Sequence, residues 1–271
     1  MTGRPLRSAR SLALRALERL SLLEPTYRVY ETIRSARDGG SRLAADSLPL
    51  PPARLRTVVA GTPGVPWFLE SGREQAMLIR AALGRNGRPI DKAERMLDFG
   101  CGCGRILRHW AGLQGPEIHG SDYNRRLVAW CEENLPFARC SVNGLEPPLA
   151  YPPGHFDLVY AISVFTHLPE QLEAAWVEEL DRIIHPGGLL LLTTHGDSYA
   201  DRLEPEERAR YRSGEVVVRW GSVAGTNLCT TFHPAAYVRE RLAPRLDLLE
   251  FVSEGGSVGS RRQDLAVFRK P

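Results

Sequence analysis

At 271 residues, 43% of them hydrophobic, the chain can bury one large core plus an accessory segment, and its net charge of +3 is too small to argue for nucleic acid. The charge is uneven: residues 1–60 carry eleven arginines against five acids, while the remainder is near neutral and lacks a lysine-rich stripe. No apolar run reaches the roughly 18 residues that a membrane span needs. The five cysteines (101, 103, 131, 140 and 229) are odd in number and lack framework spacing, which points to a reducing cytoplasm. Cys101-x-Cys103 has no second Cys or His pair at zinc-ligand spacing, so no metal site is expected.

Residues 5–23 set leucines at 6, 12, 14, 17, 20, 22 and 23 among Arg7, Arg10, Arg15 and Arg19. This predicts a basic amphipathic helix that Pro25 should end. Such a helix docks on the body of the protein or on a partner subunit, or lies on an anionic membrane surface. Residues 38–66 hold Gly39-Gly40 and prolines 49, 51, 52, 63 and 66, and read as an extended connector. An aromatic segment over 67–72, packed or acting as a lid, leads into a helix over 74–83 that Gly84 should stop. Residues 1–90 are thus expected to form a helical extension and connector, and residues 91–271 the main domain.

From residue 93 the rhythm is βαβα. Strands are expected near 94–99, 117–121, 138–142, 156–162 and 188–194, and helices near 104–112, 124–134 and 169–184. Runs such as Leu189-Leu190-Leu191-Leu192 are apolar throughout, as strands buried on both faces are. After Thr193 the rhythm breaks. Residues 201–212 look helical, 215–220 and 226–232 look like a hairpin in a flap inserted at about 196–233, and two last strands near 246–253 and 263–269 flank a Gly/Ser-rich turn. The fold class is α/β: a doubly wound, mostly parallel, seven-stranded Rossmann-like sheet with an N-terminal helical extension.

The first strand runs into Asp98-Phe99-Gly100-Cys101-Gly102-Cys103-Gly104, a turn whose bare backbone lets a ligand approach its N–H groups. Asp122 follows at the end of the second strand, where a carboxylate suits the two hydroxyls of a ribose. The G-x-G-x-G spacing omits one spacer of the dinucleotide pattern, and Asp98 would repel a pyrophosphate but welcome an ammonium group. A nucleoside with a cationic amino-acid tail, S-adenosylmethionine, fits better.

Four blocks in order then resemble the class I S-adenosylmethionine-dependent methyltransferases, bacterial small-molecule members in particular. They are Asp98-Phe99-Gly100-Cys101-Gly102-Cys103-Gly104, His119-Gly120-Ser121-Asp122-Tyr123-Asn124, Phe156-Asp157-Leu158-Val159-Tyr160 and Ile184-His185-Pro186-Gly187-Gly188. The resemblance is strong over 94–195 and weak over 196–271. It implies that Asp98 and the turn with Gly100, Cys101, Gly102 and Gly104 hold the methionine portion. It also implies that Asp122 accepts the ribose hydroxyls, Tyr123 lies against the adenine, and Asn143-Gly144-Leu145 meets the adenine edge. Ser163 and His167 fall where the family sets residues near methyl donor and acceptor, and Asp157 where it sets a structural residue.

Removing a proton from a hydroxyl or ammonium acceptor calls for a base that titrates near neutrality, so His167, His195 and His233 are the catalytic candidates. The expected activity is methylation of O, N or C of a small-molecule acceptor. An aminopropyl transferase on the same fold, and a cofactor-binding partner protein recruiting through its basic N-terminal helix, remain open at this point. Acceptor and oligomeric state are not written in the sequence.

Overall fold

The computed structural model describes residues 4–35, 44, 46–258 and 261–271; Gly39-Gly40 of the connector and the Gly259-Ser260 turn lie outside the described residues. Among the described residues the N-terminal extension holds four helices: α1 (Arg4–Arg19), α2 (Leu23–Ser35), α3 (Ala53–Ala60) and α4 (Val65–Arg85). Pro25 does not end the first helix, which already stops at Arg19. It sits in the first turn of α2, where the missing N–H has no intrahelical partner to lose. The connector, expected to have little regular structure, contains α3, which Gly61 closes in the left-handed conformation (φ +66°). Helix α4 absorbs the aromatic segment and continues past Gly84 to Arg85. Its Gly72 is needed for close approach, since a Cβ there would stand 2.2 Å from the Arg105 carbonyl oxygen.

The strands are β1 (Arg95–Phe99), β2 (Glu117–Asp122), β3 (Ala138–Val142), β4 (Phe156–Ala161), β5 (Ile184–Thr194), β6 (Val217–Arg219), β7 (Thr230–Phe232), β8 (Asp247–Val258) and β9 (Arg261–Arg269). Seven form one sheet in the order β3-β2-β1-β4-β5-β9-β8, and β6 pairs with β7. Strands β1 to β5 are parallel, and β9 is antiparallel to both of its neighbours. The remaining helices are α5 (Arg125–Asn134), α6 (Glu170–Ile183), α7 (Pro205–Arg212) and α8 (Ala235–Glu240).

Alternate residues of each central strand feed two separate cores. Met96, Tyr160, Leu191 and Val267 pack with Ile79 and Leu83 of α4, and Leu97, Val159, Leu190 and Phe268 pack with Trp176 and Leu180 of α6. Each buried aliphatic side chain of this size contributes about 1.5–3 kcal/mol.

The helix expected over 104–112 is absent. Gly102 and Gly104 have φ of +57° and +76°, which an α-helix cannot contain, and the chain follows a run of turns into a 3-10 turn at Leu107–Trp110. Helix α4 packs against that turn and shares its core. Between Ile184 and Leu189 the Pro186-Gly187-Gly188 segment bulges out of β5. Asp157 is structural, as expected: one carboxylate oxygen accepts from the Glu94 and Arg95 amides (2.9 and 2.7 Å) and the other lies 2.9 Å from His185 Nε2.

Candidate active site

The carboxyl ends of β1, β2, β4 and β5 open into a cleft of about 530 Å³, the usual place for a ligand in such a sheet. Of the residues the sequence singled out for cofactor contact, all but Gly104 line it. Gly104 instead packs away from the cleft, where a Cβ would meet Leu135 at 2.3 Å. Gly100 and Gly102 are required by both conformation and space: φ is +78° and +57°, and a Cβ would fall 2.4 Å from Val164 and 2.7 Å from Val59 of α3.

Asp122 clamps two backbone segments. Its Oδ2 accepts from the Gly102 amide (2.9 Å) and its Oδ1 from the Asn124 amide (2.8 Å). Burial pushes its carboxyl up to about 6, against the pull of those two bonds. Asp98 is deeper. Burial pushes it up to about 8, while the Tyr160 hydroxyl and the Arg105 charge act the other way. Trp110 Nε1 in turn donates to Tyr160 at 2.8 Å. Asp98 Oδ2 is buried and has no hydrogen-bond partner among the described residues.

Tyr123 is partly exposed, and its hydroxyl donates to the Gly225 carbonyl of the flap (3.1 Å). The Gly225 amide donates to the His167 carbonyl (2.8 Å), so one flap residue bridges the two walls of the cleft. Asn143 donates through Nδ2 to the Gly144 carbonyl (2.6 Å), and its buried Oδ1 has no partner among the described residues. Ser163 sits at φ +61°, a strained setting for a side-chain residue, with its hydroxyl on Gln263 (3.0 Å) and its amide on the Thr193 hydroxyl (2.9 Å).

The three histidines part company. His167 Nδ1 lies 2.6 Å from the Cys229 carbonyl oxygen. A carbonyl only accepts, so Nδ1 carries the proton and the neutral ring presents a basic Nε2. Burial holds its pKa below the ordinary value. His195 also lines the cleft, stacked on Tyr199 at 4.0 Å and 6.2 Å from the His167 ring. Burial first, then repulsion from His167, His233 and Arg202, lowers its pKa well below normal. His233 corrects the sequence expectation: it does not line the cleft. Its side chain is fully buried, with Nε2 2.6 Å from Glu173, whose other oxygen accepts from Tyr237 (2.7 Å). Position after the flap put it among the candidates, but its ring points into packing between α6 and α8.

Sequence reasoning missed Arg105, Val59, Asn227 and Gln263, which also line the cleft. Arg105 had a signal, since it directly follows the last glycine of the turn. It is buried, with one side-chain bond to the Ser71 hydroxyl (3.3 Å) and an electrostatic pull from Asp98. The others come from α3, the flap and β9, far from any motif. Asn227 donates to the Val58 carbonyl and so joins the flap to α3 across the cleft.

Residues 97–192 match the family described as a methyltransferase domain. Malonyl-[acyl-carrier protein] O-methyltransferase of Enterobacter lignolyticus is 32% identical over 128 residues, 46% of this chain and 47% of that protein. The 2-methyl-6-phytyl-1,4-hydroquinone methyltransferase of Synechocystis is 31% identical over 100 residues, 36% of this chain and 30% of that one. The match therefore spans less than half the length of either relative. A solved S-adenosylmethionine-dependent methyltransferase from Mesorhizobium loti shares the fold, with TM-score 0.53 and 17% identity over 70% of this chain and 96% of that one. Matched domain and relatives make residues 97–192 similar to methyltransferase domains, and the sheet as a whole shares the fold of the solved S-adenosylmethionine-dependent methyltransferase.

Proposed function

We propose that the chain is an S-adenosylmethionine-dependent methyltransferase acting on O, N or C of a small-molecule acceptor, with His167 as general base. The observation that carries the donor site is a buried carboxyl and a buried guanidinium on one wall. Asp98 offers an unpartnered carboxylate oxygen to an ammonium, and Arg105 offers a guanidinium to a carboxylate. An α-amino acid presents both groups, whereas a pyrophosphate presents no cation. Asp122 keeps lone pairs for the ribose hydroxyls beyond the two amides it already holds, and the vacant Asn143 Oδ1 suits the adenine amino group. Bound there, S-adenosylmethionine supplies an electrophilic methyl group on a sulfonium.

The residues around the acceptor side do the rest. His167 Nε2 takes the acceptor proton, its ring held by the Cys229 carbonyl. Flap and α3, joined by Asn227, keep water from the transfer path. In-line alignment in such a closed cleft supplies much of the acceleration. The two relatives above are named for an acyl-carrier-bound malonyl group and a hydroquinone, and an acceptor of comparable small size is the reading here. Titration calorimetry with S-adenosylmethionine and with S-adenosylhomocysteine should give micromolar affinities for each. Heat signals absent for both ligands would overturn the assignment.

A second property has its own observation. Leu12, Leu20 and Ile33 of the N-terminal segment are 64%, 67% and 60% exposed, alongside its arginines. Apolar side chains exposed beside basic ones suit an anionic membrane surface. Sedimentation with anionic vesicles should be lost on deleting residues 1–24, with S-adenosylhomocysteine binding retained.

A further inference from the structure

Directly behind the glycine turn, three thiols that are far apart in the chain converge. Cys101 comes from the turn, Cys131 from α5 and Cys140 from β3, and their sulfurs all lie within 4.8 Å of one another. Cys101 and Cys131 are buried and Cys140 is half-buried, so the cluster is closed on the protein side and reachable from one edge. Gly120 makes the space. It stands opposite Cys140 in the β2–β3 register, and a Cβ there would be 3.1 Å from the Cys101 sulfur. Three sulfurs arranged around one cation at about 2.3 Å each stand about 4 Å apart, which this spacing accommodates. No carboxylate or imidazole joins the group among the described residues. An all-sulfur set selects soft metals and gives magnesium or calcium no oxygen ligand.

We propose that Cys101, Cys131 and Cys140 form a three-coordinate site for a thiophilic d10 cation such as copper(I), cadmium or mercury(II), and that its occupancy weakens nucleoside binding in the cleft. The second half rests on the donor site proposed above. Each thiol gives up its proton to solvent on coordination. The Cys131 thiol now donates to the Gly102 carbonyl (3.4 Å), and the Gly102 amide donates to Asp122 Oδ2 (2.9 Å). A thiolate at Cys131 ends the first bond and faces the carbonyl with like charge. The backbone on either side of the Gly102 Cα then shifts, and the Asp122 clamp loosens. Cys101 itself lines the cleft, so movement of its sulfur toward a cation is felt there directly.

Cadmium alone, added to the purified, reduced protein, is the probe. One equivalent per chain should raise the ultraviolet thiolate-to-cadmium charge-transfer band, and the ¹¹³Cd resonance should fall in the all-sulfur range, a reading that needs no variant. Cys140→Ser should weaken cadmium binding at least 100-fold, and Cys229→Ser should leave the band intact. In the parent protein one equivalent of cadmium should lower S-adenosylhomocysteine affinity at least tenfold, reversibly with a dithiol chelator, whereas Cys140→Ser should bind the nucleoside equally well with and without cadmium. A missing band at one equivalent, or an oxygen- or nitrogen-rich ¹¹³Cd shift, overturns the metal site. A normal band with unchanged nucleoside affinity overturns the coupling. Because band and resonance are recorded without nucleoside, failure of the proposed donor site leaves the metal test standing.

Discussion

The two walls of the cleft are built in different ways. On the proposed function one is a donor wall and the other an acceptor wall. The donor wall is a run of short local motifs at adjacent strand ends: Asp98 and the glycine turn after β1, Asp122 after β2, Asn143 after β3. The acceptor wall gathers His167 after β4, His195 after β5, Gln263 from β9, and the flap, held by contacts such as His167 on the Cys229 carbonyl. The first wall is specified by neighbouring residues in the chain, and its Asp122 carboxylate is held by backbone amides. The second depends on segments up to 100 residues apart, as in the Ser163–Gln263 bond.

That contrast can be broken by experiments that separate binding from turnover. With an acceptor identified by a labelled-methyl screen, His167→Ala should lower turnover by about 10²- to 10⁴-fold while leaving S-adenosylhomocysteine affinity within a few-fold. Equal losses in both would erase the distinction between the walls. Asp122→Ala removes a charged acceptor from two amides and from the ribose, and should cost about 100-fold or more in nucleoside affinity by calorimetry.

Asp98 sharpens the picture through pH. Burial raises Asp98 to about 8 and Asp122 to about 6, above the value of about 3.9 for an unfolded aspartate. Between those values the folded protein holds more protons than the unfolded chain. Stability of the ligand-free protein should therefore fall as pH climbs from about 4 to about 8, by at most about 1.4 kcal/mol per pH unit per group. Thermal melts should show this decline, and Asp98→Asn should flatten its upper part. Ammonium binding draws the proton off Asp98, so nucleoside affinity should rise toward pH 8, with proton release visible in buffers of different ionisation enthalpy. An affinity indifferent to pH would remove Asp98 from the ammonium site. Smallest of all, Tyr123→Phe deletes one bond to the flap and should weaken nucleoside binding only about two- to tenfold.

The sheet, the donor wall and the flap hairpin were legible because each rests on local pattern: apolar runs for β4 and β5, glycines for the turn, a carboxylate at a strand end. The missing helix after the turn was not, because left-handed glycines that welcome a ligand also forbid α-helical continuation, and α4 from the extension packs there instead. The fate of His233 was equally hidden. Its partners Glu173 and Tyr237 lie on α6 and α8, and only the fold turns their side chains toward one ring. Val59 and Asn227 reach the cleft from α3 and the flap, which no spacing rule connects.

The carboxylate of Asp122 is already bonded to both the Gly102 and Asn124 amides without any ligand. A pocket assembled in advance spends little free energy on rearrangement, and it grips the spent donor nearly as well as the fresh one, since both carry the same ribose and adenine. On the proposed function, a site of this kind is throttled by its own by-product. Its pace in a cell would follow the ratio of methylated to demethylated donor rather than the donor's concentration alone.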